Sequence, residues 1–145
     1  MGKVEKVVVD TNIFISAFGW GGNPLKIIEL FEKGELRNCT SEDIIRELFL
    51  AVSYSKLGFP QVIQTEILEF VLAYSDIYEP REHLVISPDP EDNKFIECAL
   101  SANAKFIITG DKGLLSIKQF RGIKIVTPEY YLKGKKSADE ENQAH

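Results

Sequence analysis

Four acids, Asp10, Glu47, Asp92 and Asp111, stand where a carboxylate can do chemistry. Asp10 ends the run Val7-Val8-Val9, and Asp111 follows Phe106-Ile107-Ile108-Thr109-Gly110. Short apolar runs rich in β-branched residues suit strands buried on both faces of a parallel sheet. An acid at the carboxyl end of such a strand lies where open α/β sheets place their ligands. Carboxylates do not gather for stability, since two unit charges about 4 Å apart cost about 4 kcal/mol at an effective dielectric near 20. A cluster must be partly protonated or neutralised by a cation. No His or Cys stands at ligand spacing beside these acids, so the donors are oxygens, which suit Mg²⁺ or Mn²⁺ better than zinc. Such ions act on phosphates by activating a water and stabilising charge on the phosphodiester oxygens.

Each acid also has a plainer reading. Asp10 and Asp111 can simply cap whatever follows their strands. Asp89 and Glu91, at the start of a helix, answer its dipole. Asp92 differs, lying three residues before Phe95 and four before Ile96, over the inward face of the same helix. Glu47 falls three residues after Ile44 and one before Leu48, on or beside an apolar stripe, where an acid calls for a partner. Thr11, Asn12, Asn93 and Thr109 are the natural hydrogen-bonding support for these carboxylates or their waters. Lys112 either balances the charge of Asp111 or is solvated.

The elements that must position these residues alternate between strands and helices. Asn12–Phe18 reads as a short helix after the first strand, closed by a flexible loop Gly19-Trp20-Gly21-Gly22. Trp20 there either stacks on a base or partner or pins the loop as a partly buried ring. Asn23-Pro24 caps a second helix that Gly34 ends. Leu36–Cys39 is a short strand. Thr40 with Asp43 forms a capping box for a helix through Val52. Val62–Tyr74 is a further amphipathic helix, and residues 76–80 and 84–87 are strand-like or irregular. Asp89 caps, and Pro90 begins, the helix carrying Asp92. A short helix follows Gly113, then a strand at Ile123–Val126 and a last turn at Thr127-Pro128-Glu129. The pattern predicts an α/β three-layer sandwich, a mostly parallel central sheet flanked by helices. Residues 1–133 form one domain, and the Lys-, Glu-, Ser- and Ala-rich residues 134–145 form a disordered tail.

With 145 residues, 44% of them apolar and 27% charged, the chain suits one soluble domain. No run is long enough to span a bilayer, and the first strand leaves no room for a secretory signal. Lys6 stands where an N-myristoylation motif after Met1-Gly2 needs Ser or Thr. A cytoplasmic location is expected. Cys39 and Cys98 are expected to be buried reduced thiols, and His83 a surface residue. A net charge of −5 disfavours phosphate binding until a metal neutralises the clustered acids. Neither a Gly-Lys-Ser/Thr phosphate loop, nor Gly-x-Gly-x-x-Gly, nor Gly-x-Ser-x-Gly occurs. Asn12 stands where a phospho-aspartyl hydrolase wants its second acid, and a receiver domain would want an acid pair after the first strand.

Four segments in order, Val-Val-Val-Asp-Thr-Asn, Ser-Glu-Asp-Ile-Ile-Arg-Glu-Leu, Asp-Pro-Glu-Asp-Asn-Lys-Phe and Ile-Ile-Thr-Gly-Asp, resemble the PIN-domain family. They are most similar to its toxin-type (VapC-like) ribonucleases of toxin–antitoxin systems. The resemblance covers about residues 4–132. It implies a Mg²⁺- or Mn²⁺-dependent endoribonuclease with Asp10, Glu47, Asp92 and Asp111 at the site. It implies cleavage of single-stranded RNA to 5′-phosphate and 3′-hydroxyl products, a homodimer, and inhibition by a small antitoxin protein. Many relatives carry another acid two residues after the position matched by Asp111, where this chain has Gly113. A non-catalytic RNA- or protein-binding module on the same fold, or a DNA-directed nuclease, are the rival readings.

Overall fold

The computed structural model describes residues 4–144; residues 1–3, with the Met1-Gly2 start, and His145 lie outside the described residues. In chain order the elements are β1 (Glu5–Val9), α1 (Thr11–Trp20), α2 (Gly22–Glu32), β2 (Leu36–Thr40), α3 (Glu42–Val52), α4 (Gln61–Tyr74) and β3 (Ser75–Ile77). They continue with α5 (Asn93–Ala102), β4 (Phe106–Ile108), α6 (Lys112–Leu115), β5 (Gln119–Phe120), β6 (Ile123–Val126) and α7 (Pro128–Ala144). A 3-10 turn at Ser55–Leu57 precedes α4, and another, Pro90–Asp92, leads into α5.

The sheet runs β3-β2-β1-β4-β6-β5, with every pairing parallel except β5 with β6. The chain winds outward from β1 through β2 to β3, then crosses to the other side of β1 for β4. The winding therefore reverses between β1 and β4, which is where doubly wound sheets open a crevice beyond the strand carboxyl ends.

Alternation along β1 assigns the two faces. Val7 and Val9 point to a core shared with α1, α2, α4, Leu48 and Val52 of α3, and Tyr131 of α7. Val8 points to the opposite core, with Phe95, Ile96 and Ala99 of α5, Leu114 of α6, and Ile107 of β4. Val7, Val8, Ile107 and Ile108 are fully buried, each contributing about 1.5–3 kcal/mol relative to exposure. The three-layer sandwich expected from the sequence is the fold observed.

Several local expectations are corrected. The loop around Trp20 does not form, because α1 runs through Trp20 and α2 begins at Gly22. Only Gly21 separates them, at φ 77°, a left-handed conformation glycine adopts without a Cβ penalty. Trp20 is exposed in the last turn of α1, its ring centroid 6.1 Å from that of Phe59. Asn23 does not cap α2; it lies inside the first turn after Gly21. The cap of α3 is Ser41, whose hydroxyl accepts from the Ile44 amide, whereas Thr40 completes β2. Residues 84–87 take the irregular of the two forms expected, and β5 is an antiparallel edge the sequence reading lacked.

From Gly134 onward the expected disordered tail is a continuation of α7 to Ala144. The Lys, Glu and Ala that suggested disorder are also strong helix formers. Lys133 pairs with Glu129 one turn back, and Lys135 reaches Glu35 beyond α2. Cys39 and Cys98 are free and buried, and the His83 side chain is exposed, as expected.

Candidate functional site

Parallel pairing of Val9 with Ile108 puts the residues that follow β1 and β4 side by side at one sheet edge. The Asp10 amide continues the ladder by donating to the Ile108 carbonyl at 3.0 Å. Thr109 then joins the two strand ends through one hydroxyl. Its Oγ1 donates to Asp10 Oδ2 at 2.7 Å and accepts from the Asp111 amide at 3.0 Å. Asp10 and Asp111 thus open onto the same edge, at the switch point of the sheet.

Both also act as caps. Asp10 Oδ1 accepts from the Asn12 amide at 3.3 Å, and Asp111 Oδ2 accepts from the Leu114 amide at 2.9 Å. The capping and clustering roles coexist, because a capping carboxylate oxygen retains further lone pairs. The strand end under Asp10 is fixed from the other side too. Asn38 of β2 accepts from the Val9 amide at 3.1 Å and donates to Ser75 Oγ at 2.8 Å. That support escaped the sequence reading; its only signal was an amide inside an otherwise strand-like segment.

Asp92 closes the cluster from the 3-10 turn before α5. Its carboxyl is pushed up to about 7, first by burial and then by the negative charge of Asp111. Asp10 is raised as well, mainly by burial, with Glu47 and Asp111 adding like charge against the lowering effect of the Thr109 hydrogen bond. Gly113 borders the same space: a Cβ there would meet Asp111 Oδ2 at 3.1 Å and Asp92 Oδ2 at 4.0 Å.

Glu47, from α3, is nearby but differently held. Its Oε2 accepts from Thr11 Oγ1 at 2.8 Å, and its Oε1 lies 2.9 Å from Lys94 Nζ. Of the supporting residues named from sequence, Thr109 serves Asp10 and Thr11 serves Glu47. Asn12 offers Asp10 its backbone, while its own side chain is exposed along a groove of about 890 Å³. Asn93 does not serve the acids. Its buried Oδ1 accepts from the Ile86 and Ser87 amides and so pins the 81–90 segment to α5. Lys112 is exposed. Lys94 was missed, because its position beside Phe95 reads as outward from the apolar stripe.

An all-oxygen set of acids, in which burial and neighbouring negative charge raise Asp10 and Asp92, fits a hard divalent cation. Asp10, Asp92 and Asp111 are the residues able to hold one, with Glu47 beside them. Among the described residues, no three Asp, Glu, His or Cys side chains are yet drawn together as a metal cage. Side-chain rotation would have to close the ring.

The PIN domain family model matches residues 6–113. The uncharacterized protein MJ1680 of Methanocaldococcus jannaschii is 37% identical over 123 residues, covering 81% of this chain and 79% of that protein. A chain of VapBC2 from Rickettsia felis, bound to a DNA fragment from their promoter, superposes with a TM-score of 0.58 at 18% identity. That superposition covers 83% of this chain and 96% of the other. PAE2754 from Pyrobaculum aerophilum gives the same TM-score of 0.58 at 17% identity, covering 90% and 88%. Among the described residues no helix is long and apolar enough to cross a membrane. With the family model matched across most of its length, and Asp10 and Asp111 side by side at the switch point of the matching fold, the chain belongs to the PIN-domain family.

Proposed function

We propose that this protein is a Mg²⁺- or Mn²⁺-dependent endoribonuclease acting on single-stranded RNA. One observation carries the reading: Asp10 and Asp111 emerge from neighbouring strands, joined through Thr109, with the negative charge of Asp111 acting on Asp92. Negative charge held this way is tenable when a cation from solution shares it. Asp10, Asp92 and Asp111 would hold the ion, and Glu47 would complete its surroundings. When bound, the ion stabilises charge on the phosphodiester oxygens and makes water more acidic.

The chain's own residues supply the rest. The Thr109 hydroxyl fixes the orientation of the Asp10 carboxylate, and the Leu114 amide fixes that of Asp111. Asp10 and Asp111 orient the attacking water, and a carboxylate oxygen of Asp92 or Glu47 takes its proton. The groove beside Glu47, lined by Arg46, Tyr54 and Lys94, is the path open to the polymer.

The VapBC2 neighbour supports extending the proposal to a toxin of a toxin–antitoxin pair, restrained by a small antitoxin protein. A homodimer in the cytoplasm belongs to the same reading. The test is cleavage of a labelled single-stranded RNA with Mn²⁺, beside a DNA of matched sequence. Asp10→Asn should lower the rate roughly a thousandfold or more while leaving the circular dichroism spectrum unchanged. Equal turnover by wild type and Asp10→Asn would remove the assignment. Binding of RNA without cleavage in either metal would favour the non-catalytic module, and preference for the DNA a DNA-directed nuclease.

A further inference from the structure

Lys94 is an unusual lysine. It stands in the first turn of α5 with its side chain only 12% exposed. Its ammonium lies 2.9 Å from Glu47 Oε1, 3.5 Å from Glu91 Oε2, and 5.7 Å from the centre of the Phe95 ring. Withdrawing an ammonium from water costs several kcal/mol, so these anions must hold it there. Glu91 is largely exposed and contributes the longer contact. Glu47 is the principal anchor.

Glu47 in turn is held at both carboxylate oxygens. One oxygen takes the Thr11 hydroxyl and the other takes Lys94. Thr11 directly follows Asp10, so the Glu47 carboxylate is tied to the strand end that carries the cluster. Arg46 cannot stand in for the lysine, being engaged outward with Glu42 and Asp43 and well exposed. Among the described residues, Glu47 alone of the four acids has an ion-pair partner from the chain.

We infer that Lys94 is a tethered counter-ion for Glu47, which a divalent cation must displace before Glu47 can join the site. The inference rests on the metal-dependent reading proposed above. It makes Lys94 a positioning residue that sets divalent-ion affinity: the ammonium and the entering ion compete for one carboxylate. While the site is empty, Lys94 keeps Glu47 neutralised and oriented; when the site fills, the ammonium is released toward the groove it lines.

The experiment is titration of the full-length, metal-free chain with Mn²⁺, followed by the electron paramagnetic resonance of the free ion and by calorimetry. Wild type, Lys94→Met, Lys94→Gln, Lys94→Arg, Glu47→Gln and Glu47→Gln with Lys94→Met are compared, with folding checked by circular dichroism. Removing the charge in Lys94→Met or Lys94→Gln should tighten Mn²⁺ binding on the order of tenfold. Lys94→Arg should stay close to wild type. Glu47→Gln should bind more weakly, and adding Lys94→Met to it should change nothing further. A lysine serving only stability would lower the unfolding temperature of Lys94→Gln and leave Mn²⁺ affinity untouched, which would overturn the inference. Tightening that persists in the Glu47→Gln background would overturn it equally. If wild type binds Mn²⁺, Asp10→Asn abolishes binding and the Lys94 variants do not move, the metal centre stands and the counter-ion role falls. If wild type binds no Mn²⁺, both readings fall together.

Discussion

The outer strand pair, β2 with β3, and the central pair, β1 with β4, treat negative charge in opposite ways. On the outer pair, Asp76 meets Arg37 in a two-pronged contact, Nε to Oδ2 at 3.0 Å and Nη2 to Oδ1 at 2.8 Å. The guanidinium, first through its hydrogen bond and then through its charge, holds the Asp76 carboxyl below its ordinary value. On the central pair, burial and like charge raise Asp10, and Asp92 against Asp111 is raised too. Among the described residues, Asp76 has an ion-pair partner from the chain, and Asp10, Asp92 and Asp111 have none. An acid paired internally finishes a sheet edge; acids left facing one another reserve room for a partner from outside.

Breaking the central arrangement should have the largest effect. Thr109→Val removes the donor to Asp10 and the acceptor for the Asp111 amide without changing side-chain shape much. Mn²⁺ affinity and RNA cleavage should each fall about 10–100-fold, read by titration and by single-turnover cleavage. A Thr109→Val protein with wild-type values in both would mean that the strand ends need no linkage.

Asp92→Asn sharpens the contrast through pH. Burial and the charge of Asp111 push the folded carboxyl up to about 7, well above the unfolded value. Metal-free protein therefore pays a penalty above pH 7 that disappears as the pH falls toward 4 and the group takes up its proton. The Asn variant should be more resistant to urea than wild type by about 1–2 kcal/mol at pH 8, after allowance for its partial exposure, and equal to it at pH 4. A variant less stable than wild type at pH 8 would show that the acids are not in conflict.

Asp76→Asn should give the smallest change and the opposite sign. Because the Asp76 pKa is depressed, its contribution is present above the unfolded carboxylate value and is lost as the pH drops through the folded one. The pair is 38% and 45% exposed, so the variant should cost about 0.5–1 kcal/mol at pH 7 and nothing near pH 2. Urea midpoints at the two pH values check this directly.

The parts legible in the sequence were those fixed by short-range pattern. Three β-branched residues ending in an acid could only be a buried strand delivering Asp10 to a sheet edge, and the same grammar located Asp111. The α/β layering followed from strands and helices taking turns. What stayed hidden depended on distant partners. Ser41 rather than Thr40 caps α3 because β2 pairs one residue further than its composition suggests. Asn93 looked like support for Asp92, but the 81–90 segment folds back and claims its carbonyl oxygen. Lys94 drew no notice because nothing in its neighbourhood along the chain shows that Glu47, far upstream on α3, will meet it. The α7 continuation was misread because a charged, alanine-containing segment suits either a helix or a coil, and only docking along α2 decides.

β1 pairs with β2 over Glu5–Val7 and with β4 over Val7–Val9, and Val7–Val9 are buried between the two cores. Its amides should exchange with solvent deuterium only when the whole molecule unfolds. Asp10 is thus mounted on the most slowly opening backbone available, whereas Glu47 and Lys94 project from helices that flank it. Precision is assigned to the hub, and adaptability to the rim.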